Sequence, residues 1–233
     1  MSGKDTSLTT TTTASVDAFL GELGTRSAQA CETRGRLVFA LDATGSRQAT
    51  WDRAAHLQSE MFLAAAGVGS LKIQVCFYRG YGEFKASPWI ARPEPLLRLM
   101  NSVSCRAGET QISKVLQHTV NEALRQRVNA LVFVGDCVEE SVDALAGLAG
   151  KLGALRVPAF MFHEGSDERA AFAFREIARL SGGASFRFDA GSADVLRELL
   201  CAIAVYAAGG NAALARLATV PGVRLLVDRM QGR

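Results

Sequence analysis

Residues 36–46 read RLVFALDATGS, in which an apolar run from Leu37 to Leu41 is followed at once by an acidic residue and then by hydroxyl residues at alternate positions. A short, uninterrupted apolar run is typical of a strand that is buried on both faces of a parallel sheet. Asp42, Thr44 and Ser46 would then lie in the loop at the carboxyl end of that strand, where open α/β sheets bind their ligands. This stretch therefore predicts both the fold class and the place of the functional site.

Strand-like and helix-like segments alternate along the chain from this motif onward. Further strands are predicted at 71–78, 130–134, 157–162 and 185–188, and helices at 49–66, 93–100, 111–127, 139–152, 168–180 and 194–206. Gly80 and Gly82 predict a hairpin that ends in a short edge strand around Phe84. The expected fold class is α/β: a doubly wound, mainly parallel sheet with one short antiparallel edge strand and helices on both faces.

The length of 233 residues suits one α/β domain with extensions. We expect a Ser/Thr-rich and partly disordered extension at 1–30, the domain at 31–208, and a tail at 209–233. Within the tail, the apolar pattern of 223–227 indicates an extra strand or an interface element. The net charge of +3 is too small to indicate nucleic-acid or membrane binding.

A cytoplasmic location is expected from three features of the sequence. Met1 is followed by polar residues instead of the apolar segment of a signal peptide. The longest apolar run, 199–208, is about half the roughly 20 residues that a membrane span needs. The five cysteines are scattered and lack Cys-x-x-Cys spacing, which is typical of thiols in a reducing compartment.

Two further segments are expected to bring oxygen atoms to the same edge of the sheet. Thr110 stands in the loop Gly108-Glu109-Thr110 before an amphipathic helix, and Asp136 follows the strand at 130–134. Taken singly, each of these residues could be a helix cap. Together with the first loop they offer two carboxylates and three hydroxyls, an oxygen-only set that suits a hard cation such as Mg²⁺.

The spacing Asp42-x-Thr44-x-Ser46 resembles the Asp-x-Ser/Thr-x-Ser signature of the metal-ion-dependent adhesion site in von Willebrand factor A domains, which have a Rossmann-like fold. Thr110 and Asp136 match that family's separate threonine and later aspartate, and the resemblance covers about 34–208 as element order. Two positions depart from the pattern: Thr44 replaces the commoner serine, and Cys137 stands where glycine is usual.

The resemblance implies a role for each site residue. Thr44 and Ser46 would coordinate Mg²⁺, or Mn²⁺ or Ca²⁺, through their hydroxyls, and Thr110 would do so directly or through water. Asp42 and Asp136 would act mostly through water. An Asp or Glu of a protein partner would complete the coordination.

The function expected from the resemblance is that of an intracellular adaptor, not an enzyme. It would present the cation to an acidic side chain of a partner such as an ATPase or chaperone-like assembly. Arg47, Glu109 and Trp89 are the predicted partner contacts, and no nucleic acid or membrane is expected to bind.

Two alternatives use the same residues. Asp42 could be the nucleophile of a Mg²⁺-dependent, haloacid-dehalogenase-like phosphotransferase, but position 44 is a threonine, which cannot serve as a general acid, and Lys114 is the only central lysine. The other alternative is a metal-free scaffold that keeps a degenerate site.

Overall fold

The structure is a computed structural model that describes residues 35–48, 71–188 and 193–231. Within these ranges six strands form one sheet: β1 (Gly35–Asp42), β2 (Leu71–Arg79), β3 (Glu83–Ala86), β4 (Ala130–Gly135), β5 (Ala159–Glu164) and β6 (Ala184–Phe188). Their order across the sheet is β3-β2-β1-β4-β5-β6. All neighbouring strands run parallel except β3, which pairs antiparallel with β2 at one edge. The predicted mainly parallel sheet with an antiparallel edge strand is confirmed.

Six α-helices in the described ranges cover the two faces of this sheet: α1 (Pro93–Ser102), α2 (Ile112–Arg125), α3 (Val142–Ala154), α4 (Glu168–Ser181), α5 (Ala193–Ala215) and α6 (Pro221–Met230). Leu37, Phe39 and Leu41 of β1 belong to the core shared with α5 and α6. Val38 and Ala40 belong to the core shared with α2, α3 and α4. All eight residues of β1 are buried, which is why its sequence is apolar without alternation.

Several boundaries differ from the predicted ones because capping decides where a helix begins. The helix predicted at 139–152 starts instead at Val142, since the hydroxyl of Ser141 caps it by accepting a hydrogen bond from the backbone N–H of Ala144 at 3.5 Å. Residues 136–140 are thereby left as a loop at the carboxyl end of β4. The helix predicted at 49–66 and the extension at 1–30 lie outside the described residues.

The carboxyl-terminal part of the chain is helical. The helix predicted at 194–206 continues as α5 to Ala215, with a kink at Gly210, where φ is 65°. The segment 223–227 lies in α6, so the strand considered for it was wrong. Val223 and Leu226 of α6 are buried in the same core as α5, so these tail residues pack on the domain.

The helix α5 contains an 18-residue stretch, Glu198–Ala215, with a mean hydropathy of 1.5. By length and composition alone it could cross a membrane. Many of its apolar side chains, including Leu200 and Ile203, are buried against the sheet. Packing in a protein core therefore accounts for its composition without a membrane.

Candidate metal site

Asp42 ends β1 and lies between the ends of two neighbouring strands. It is paired with Tyr78 of β2 on one side. On the other side lies Gly135 of β4, on which an added Cβ would be 3.4 Å from the Cβ of Asp42. Its side chain is fully buried, and both carboxylate oxygens are bonded: Oδ1 accepts from the backbone N–H of Thr44 at 2.8 Å, and Oδ2 from the hydroxyl of Tyr78 at 2.9 Å. Asp42 therefore holds the loop that follows it.

Burial raises the pKa of the Asp42 carboxyl above its usual value, and the negative charge of Asp136 raises it further. The hydrogen bonds from Thr44 and Tyr78 act in the opposite direction, but burial prevails. A nearby positive charge stabilises the ionised form of a buried carboxyl group. A cation at this edge of the sheet would supply that charge.

Thr44 and Ser46 place two hydroxyls side by side. Residues Gly45–Arg47 form a single 3₁₀ turn, which brings Thr44 Oγ1 to 3.1 Å from Ser46 Oγ. Oxygen atoms at adjacent octahedral positions around Mg²⁺, each roughly 2.1 Å from the ion, are about 3 Å apart. The spacing of the two hydroxyls thus suits two neighbouring ligands of one ion.

The loop before α2 lies between the other two loops. On one side, the backbone N–H of Arg106 donates to the carbonyl of Ala43 at 2.9 Å. On the other, the hydroxyl of Thr110 accepts from the backbone N–H of Glu139 at 3.0 Å, and the Glu139 carboxylate accepts from the N–H of Thr110 at 2.8 Å. Thr110 is buried and joined directly to the loop that carries Asp136.

The side chain of Asp136 has an oxygen, Oδ1, that is buried and has no hydrogen-bond partner within the described part of the chain. Buried polar atoms nearly always have a partner, which can be an ordered water or an ion. Asp136 is also close enough to Asp42 to influence its pKa. The orphaned oxygen and the hydroxyl pair together make a donor set that fits Mg²⁺.

Carboxylates, histidines and cysteines do not by themselves form a metal site in the described residues. Among the residues that the structure describes, no group of three or more such side chains is placed to hold a metal ion. A cation at this edge would depend on hydroxyl ligands and water. The spacing of Thr44 and Ser46 in the sequence likewise predicts hydroxyl ligands.

Glu139 and Glu140 organise the site, and sequence reasoning placed them inside a helix instead. The carboxylate of Glu140 accepts from the backbone N–H groups of Ile112 at 2.6 Å and Ser113 at 2.9 Å. These N–H groups belong to the first turn of α2 and have no partner within the helix. Two consecutive glutamates just before Ser141 could have suggested a role outside the helix. The backbone N–H groups that they bind, however, lie about 28 residues earlier in the chain, which local sequence does not indicate.

Arg47 was predicted to meet an acidic group of a partner, and this prediction was wrong. Its side chain is fully buried, donates to Glu164 at 2.8 Å through Nη2, and donates to the backbone carbonyl of Asp42 at 2.9 Å through Nη1. The 3₁₀ turn directs residue 47 inward instead of toward solvent. Its charge is used inside the protein.

The other two predicted partner contacts lie in different places. Glu109 is exposed in the same loop as Thr110. Trp89 lies at the opposite, amino-terminal edge of the sheet, where Arg36 stacks on its ring at 3.7 Å and Glu122 accepts its indole N–H at 2.7 Å. The structure does not bring Trp89 to the candidate metal site.

Two further residues border the site. Cys137 is partly buried, and burial together with nearby carboxylates, first Asp167 and then Asp136, raises the pKa of its thiol. His163 is buried next to Gly135 in the sheet, with its ring edge-on to Phe174 at 5.6 Å. Burial lowers the pKa of His163, which favours a neutral imidazole.

Gly135 is the glycine that this arrangement requires. A Cβ at position 135 would lie 2.8 Å from the ring of Phe133 and 3.4 Å from the Cβ of Asp42. A side chain at position 135 would therefore require the buried ring of Phe133 to shift. Cys137, which the family resemblance made a concern, is two residues further along in a less crowded position.

Comparison with solved structures identifies the fold. The chain is similar to the SpRpn10 VWA domain, with a TM-score of 0.53 and 15% identity over 66% of this chain and 87% of that one. It is also similar to the pilus adhesin SpaC from Lactobacillus rhamnosus GG (TM-score 0.59, 10% identity, 76% of this chain and 30% of that one). The human COPII-coat protein Sec24c matches with a TM-score of 0.56 and 11% identity, over 75% of this chain and 33% of that one.

These identities are low, so the similarity concerns the fold alone. The fold is that of a von Willebrand factor A domain, as the sequence resemblance implied. The chain spans about a third of the length of SpaC and Sec24c, whose remaining parts have no counterpart in the match. No protein-family model and no curated protein matches the sequence.

Proposed function

We propose that this chain is a protein-interaction module that binds Mg²⁺, or Mn²⁺ or Ca²⁺ in its place, and uses the ion to hold an Asp or Glu side chain of a protein partner. The single observation that carries the proposal is the pair of hydroxyls of Thr44 and Ser46, 3.1 Å apart, at the edge where a buried oxygen of Asp136 has no hydrogen-bond partner among the described residues. The von Willebrand factor A fold supports it, since it places the three loops at one edge of the sheet.

The charges around the site favour an anionic partner group. Asp42 is occupied by Thr44 and Tyr78, and Glu139 and Glu140 by backbone N–H groups, so these carboxylates are engaged in holding the loops. Two neutral hydroxyls and the single carboxylate of Asp136, as ligands, leave part of the cation's charge unbalanced. A carboxylate supplied from outside would then bind strongly.

The two alternatives receive less support. A phosphotransferase would need an accessible oxygen on Asp42 for nucleophilic attack, but its side chain is fully buried and both oxygens accept hydrogen bonds. A metal-free scaffold would need an ordered water, in place of an ion, as the partner of the buried Asp136 oxygen, which has none among the described residues. In the cell, our proposal corresponds to a cytoplasmic adaptor for an assembly such as an ATPase or chaperone-like machine.

Metal binding is tested by thermal and chemical unfolding with Mg²⁺ or EDTA. An ion at a hundred times its Kd stabilises a folded protein by about 2.7 kcal/mol. We expect this stabilisation in the wild type and in Ser102→Ala, a serine at the end of α1, and its loss in Thr44→Ala and Ser46→Ala. Absence of any Mg²⁺ or Mn²⁺ effect on the wild type would favour the metal-free scaffold.

Partner binding is tested by pull-down from a lysate of the source cells. Wild type and Ser46→Ala serve as bait, each with Mg²⁺ or with EDTA, and the recovered proteins are compared. We expect partners that bind the wild type only in Mg²⁺ and that Ser46→Ala does not recover. Equal recovery under all four conditions would count against binding through a metal ion.

A further inference from the structure

An exposed aromatic side chain stands at the same edge of the sheet as the candidate metal site. Tyr81 occupies the turn between β2 and β3, at the carboxyl end of β2. It is 83% exposed, more than any other large hydrophobic side chain in the described residues. Tyrosine is enriched at protein interfaces, where its ring supplies apolar contact area.

The turn that carries Tyr81 is fixed from several sides. Gly80 and Gly82 have φ values of 58° and 103°, which a residue with a side chain rarely adopts. Lys114 donates to the carbonyl of Gly82 at 3.0 Å, and the side chain of Gln111 donates to that of Gly80 at 3.0 Å. The exposure of Tyr81 is therefore a property of a braced turn.

Arg106 connects this turn to the metal site. Its backbone pairs with Thr44 on one side and accepts from the N–H of Gly80 at 3.3 Å on the other. Its side chain runs over Gly80, with Cδ 3.5 Å from where a Cβ of that glycine would lie, and is 72% exposed. The backbone of Arg106 thus lies between the loop of Thr44 and the Tyr81 turn, and its exposed side chain extends along the Tyr81 turn.

The charge around Arg106 is mainly positive. Glu83 lies 4.0 Å from it but is bound more closely by Arg79 at 3.0 Å and Lys85 at 3.2 Å. Lys114 adds a fourth positive charge to this group, against Glu83 and the exposed Glu109. The surface therefore favours an anionic ligand next to the cation site.

We propose that Tyr81 and Arg106 form a second half of the partner-binding surface, and that the partner presents an acidic peptide segment with at least two carboxylates. One carboxylate binds the metal ion, the other pairs with Arg106, and the residues between them pack on the ring of Tyr81. This inference rests on the proposed metal-dependent binding. Arg106 takes the role that the sequence assigned to Arg47.

The test is a selection from a random-peptide display library on immobilised full-length protein in Mg²⁺, with elution by EDTA. The peptides recovered are expected to contain two or more Asp or Glu residues. Their affinities are then measured by titration against variants. Tyr81→Ala and Arg106→Ala are each expected to weaken binding about tenfold, a larger effect than most interface residues have, and Ser46→Ala to abolish it.

Matched controls come from α4, which has an exposed aromatic and an exposed arginine of its own. Phe172, 51% exposed, and Arg175 are replaced by alanine, and both variants are expected to bind like the wild type. Unfolding curves verify that Tyr81→Ala and Arg106→Ala are folded. Tyr81→Phe keeps the ring and is expected to retain most of the affinity. It shows that the weak binding of Tyr81→Ala comes from loss of the ring contact.

The outcomes separate the two proposals. EDTA-sensitive peptides that carry a single acidic residue, or that bind Tyr81→Ala and Arg106→Ala with wild-type affinity, would overturn the role of this surface and leave metal-dependent binding intact. A selection in which EDTA releases no peptide from the immobilised protein would overturn both proposals.

Discussion

Arg47 and Glu164 form an ion pair across the carboxyl edge of the sheet, with Nη2 2.8 Å and Nε 3.1 Å from the same carboxylate oxygen. The Arg47 side chain is fully buried, and that of Glu164 is 16% exposed. The same guanidinium donates to the carbonyls of Asp42 and Val134. One side chain thus ties together the ends of β1, β4 and β5, from which the candidate metal site is built.

Replacing Arg47 by methionine is expected to destabilise the protein by about 3 kcal/mol, because it leaves the Glu164 carboxylate without its partner in a largely buried position. The double variant Arg47→Met with Glu164→Gln is expected to recover part of the loss. Urea unfolding measures both. Arg179→Met, which breaks an exposed ion pair with Glu176 on α4, is the control and is expected to change the free energy of unfolding far less than Arg47→Met. Similar losses in Arg47→Met and Arg179→Met would contradict the buried role.

Asp42→Asn is expected to leave the metal-free protein as stable as the wild type at neutral pH, or slightly more stable. Burial raises the pKa of Asp42 above its usual 3.8, so ionisation costs stability. This cost is absent below pH 3.8 and fully present above the raised folded-state pKa. Asparagine has the same shape and can still accept from the N–H of Thr44. The amide should also remove the stabilisation by Mg²⁺.

The measurement for Asp42→Asn is urea unfolding in EDTA and again in Mg²⁺, in parallel with the wild type. A large loss of stability in EDTA would mean that the ionised carboxylate supports the folded loop by itself. Mg²⁺ stabilisation that survives the substitution would show that Asp42 does not contribute to ion binding.

Glu140→Gln is expected to lower the free energy of unfolding by about 1–2 kcal/mol. The carboxylate accepts from two backbone N–H groups in the first turn of α2, and the amide group of glutamine can accept only one of these bonds. Hydrogen exchange at Ile112 and Ser113 should become faster. Glu168→Gln, an exposed acid in the first turn of α4, is the control and should change stability by less than about 0.5 kcal/mol. Unchanged exchange in Glu140→Gln would argue against the predicted bracing of this loop.

His118→Gln is expected to reduce the loss of stability that acid causes. Burial lowers the pKa of His118 below its usual 6.5; Glu122 raises it and Arg125 lowers it, to a smaller extent. The unfolded chain then binds a proton more readily than the folded one. The stability contributed by the neutral imidazole of His118 is therefore complete above about pH 6.5 and is lost as the pH falls from there through the lower pKa of the folded state. Denaturation curves at pH 7.5 and about pH 5.5 test this: the difference between wild type and variant should change with pH, and a constant difference would refute it.

Much of the fold follows from local sequence patterns. The buried strand 37–41, the hairpin at Gly80 and Gly82, and the amphipathic helix that begins at Ile112 were all predicted from the spacing of apolar residues and glycines, and the structure contains each of them. The edge of the sheet at which Asp42, Thr44 and Ser46 lie was also predictable. Parallel strands place all their carboxyl ends together, so the order of elements along the chain is enough.

Other features depended on contacts between distant parts of the chain. Whether Arg47 points to solvent or inward depends on Glu164, 117 residues later, and Glu140 caps a helix that begins 28 residues before it. The place of Arg106 beside Thr44 depends on how a loop crosses the ends of two strands. Periodicity reports whether a residue is buried within its own helix or strand, whereas the partner of a charged side chain depends on which loops the packed sheet brings together. The sequence alone therefore determined the fold class and the hydroxyl motif, and the tertiary structure decided which charges hold the site and which are left for a partner.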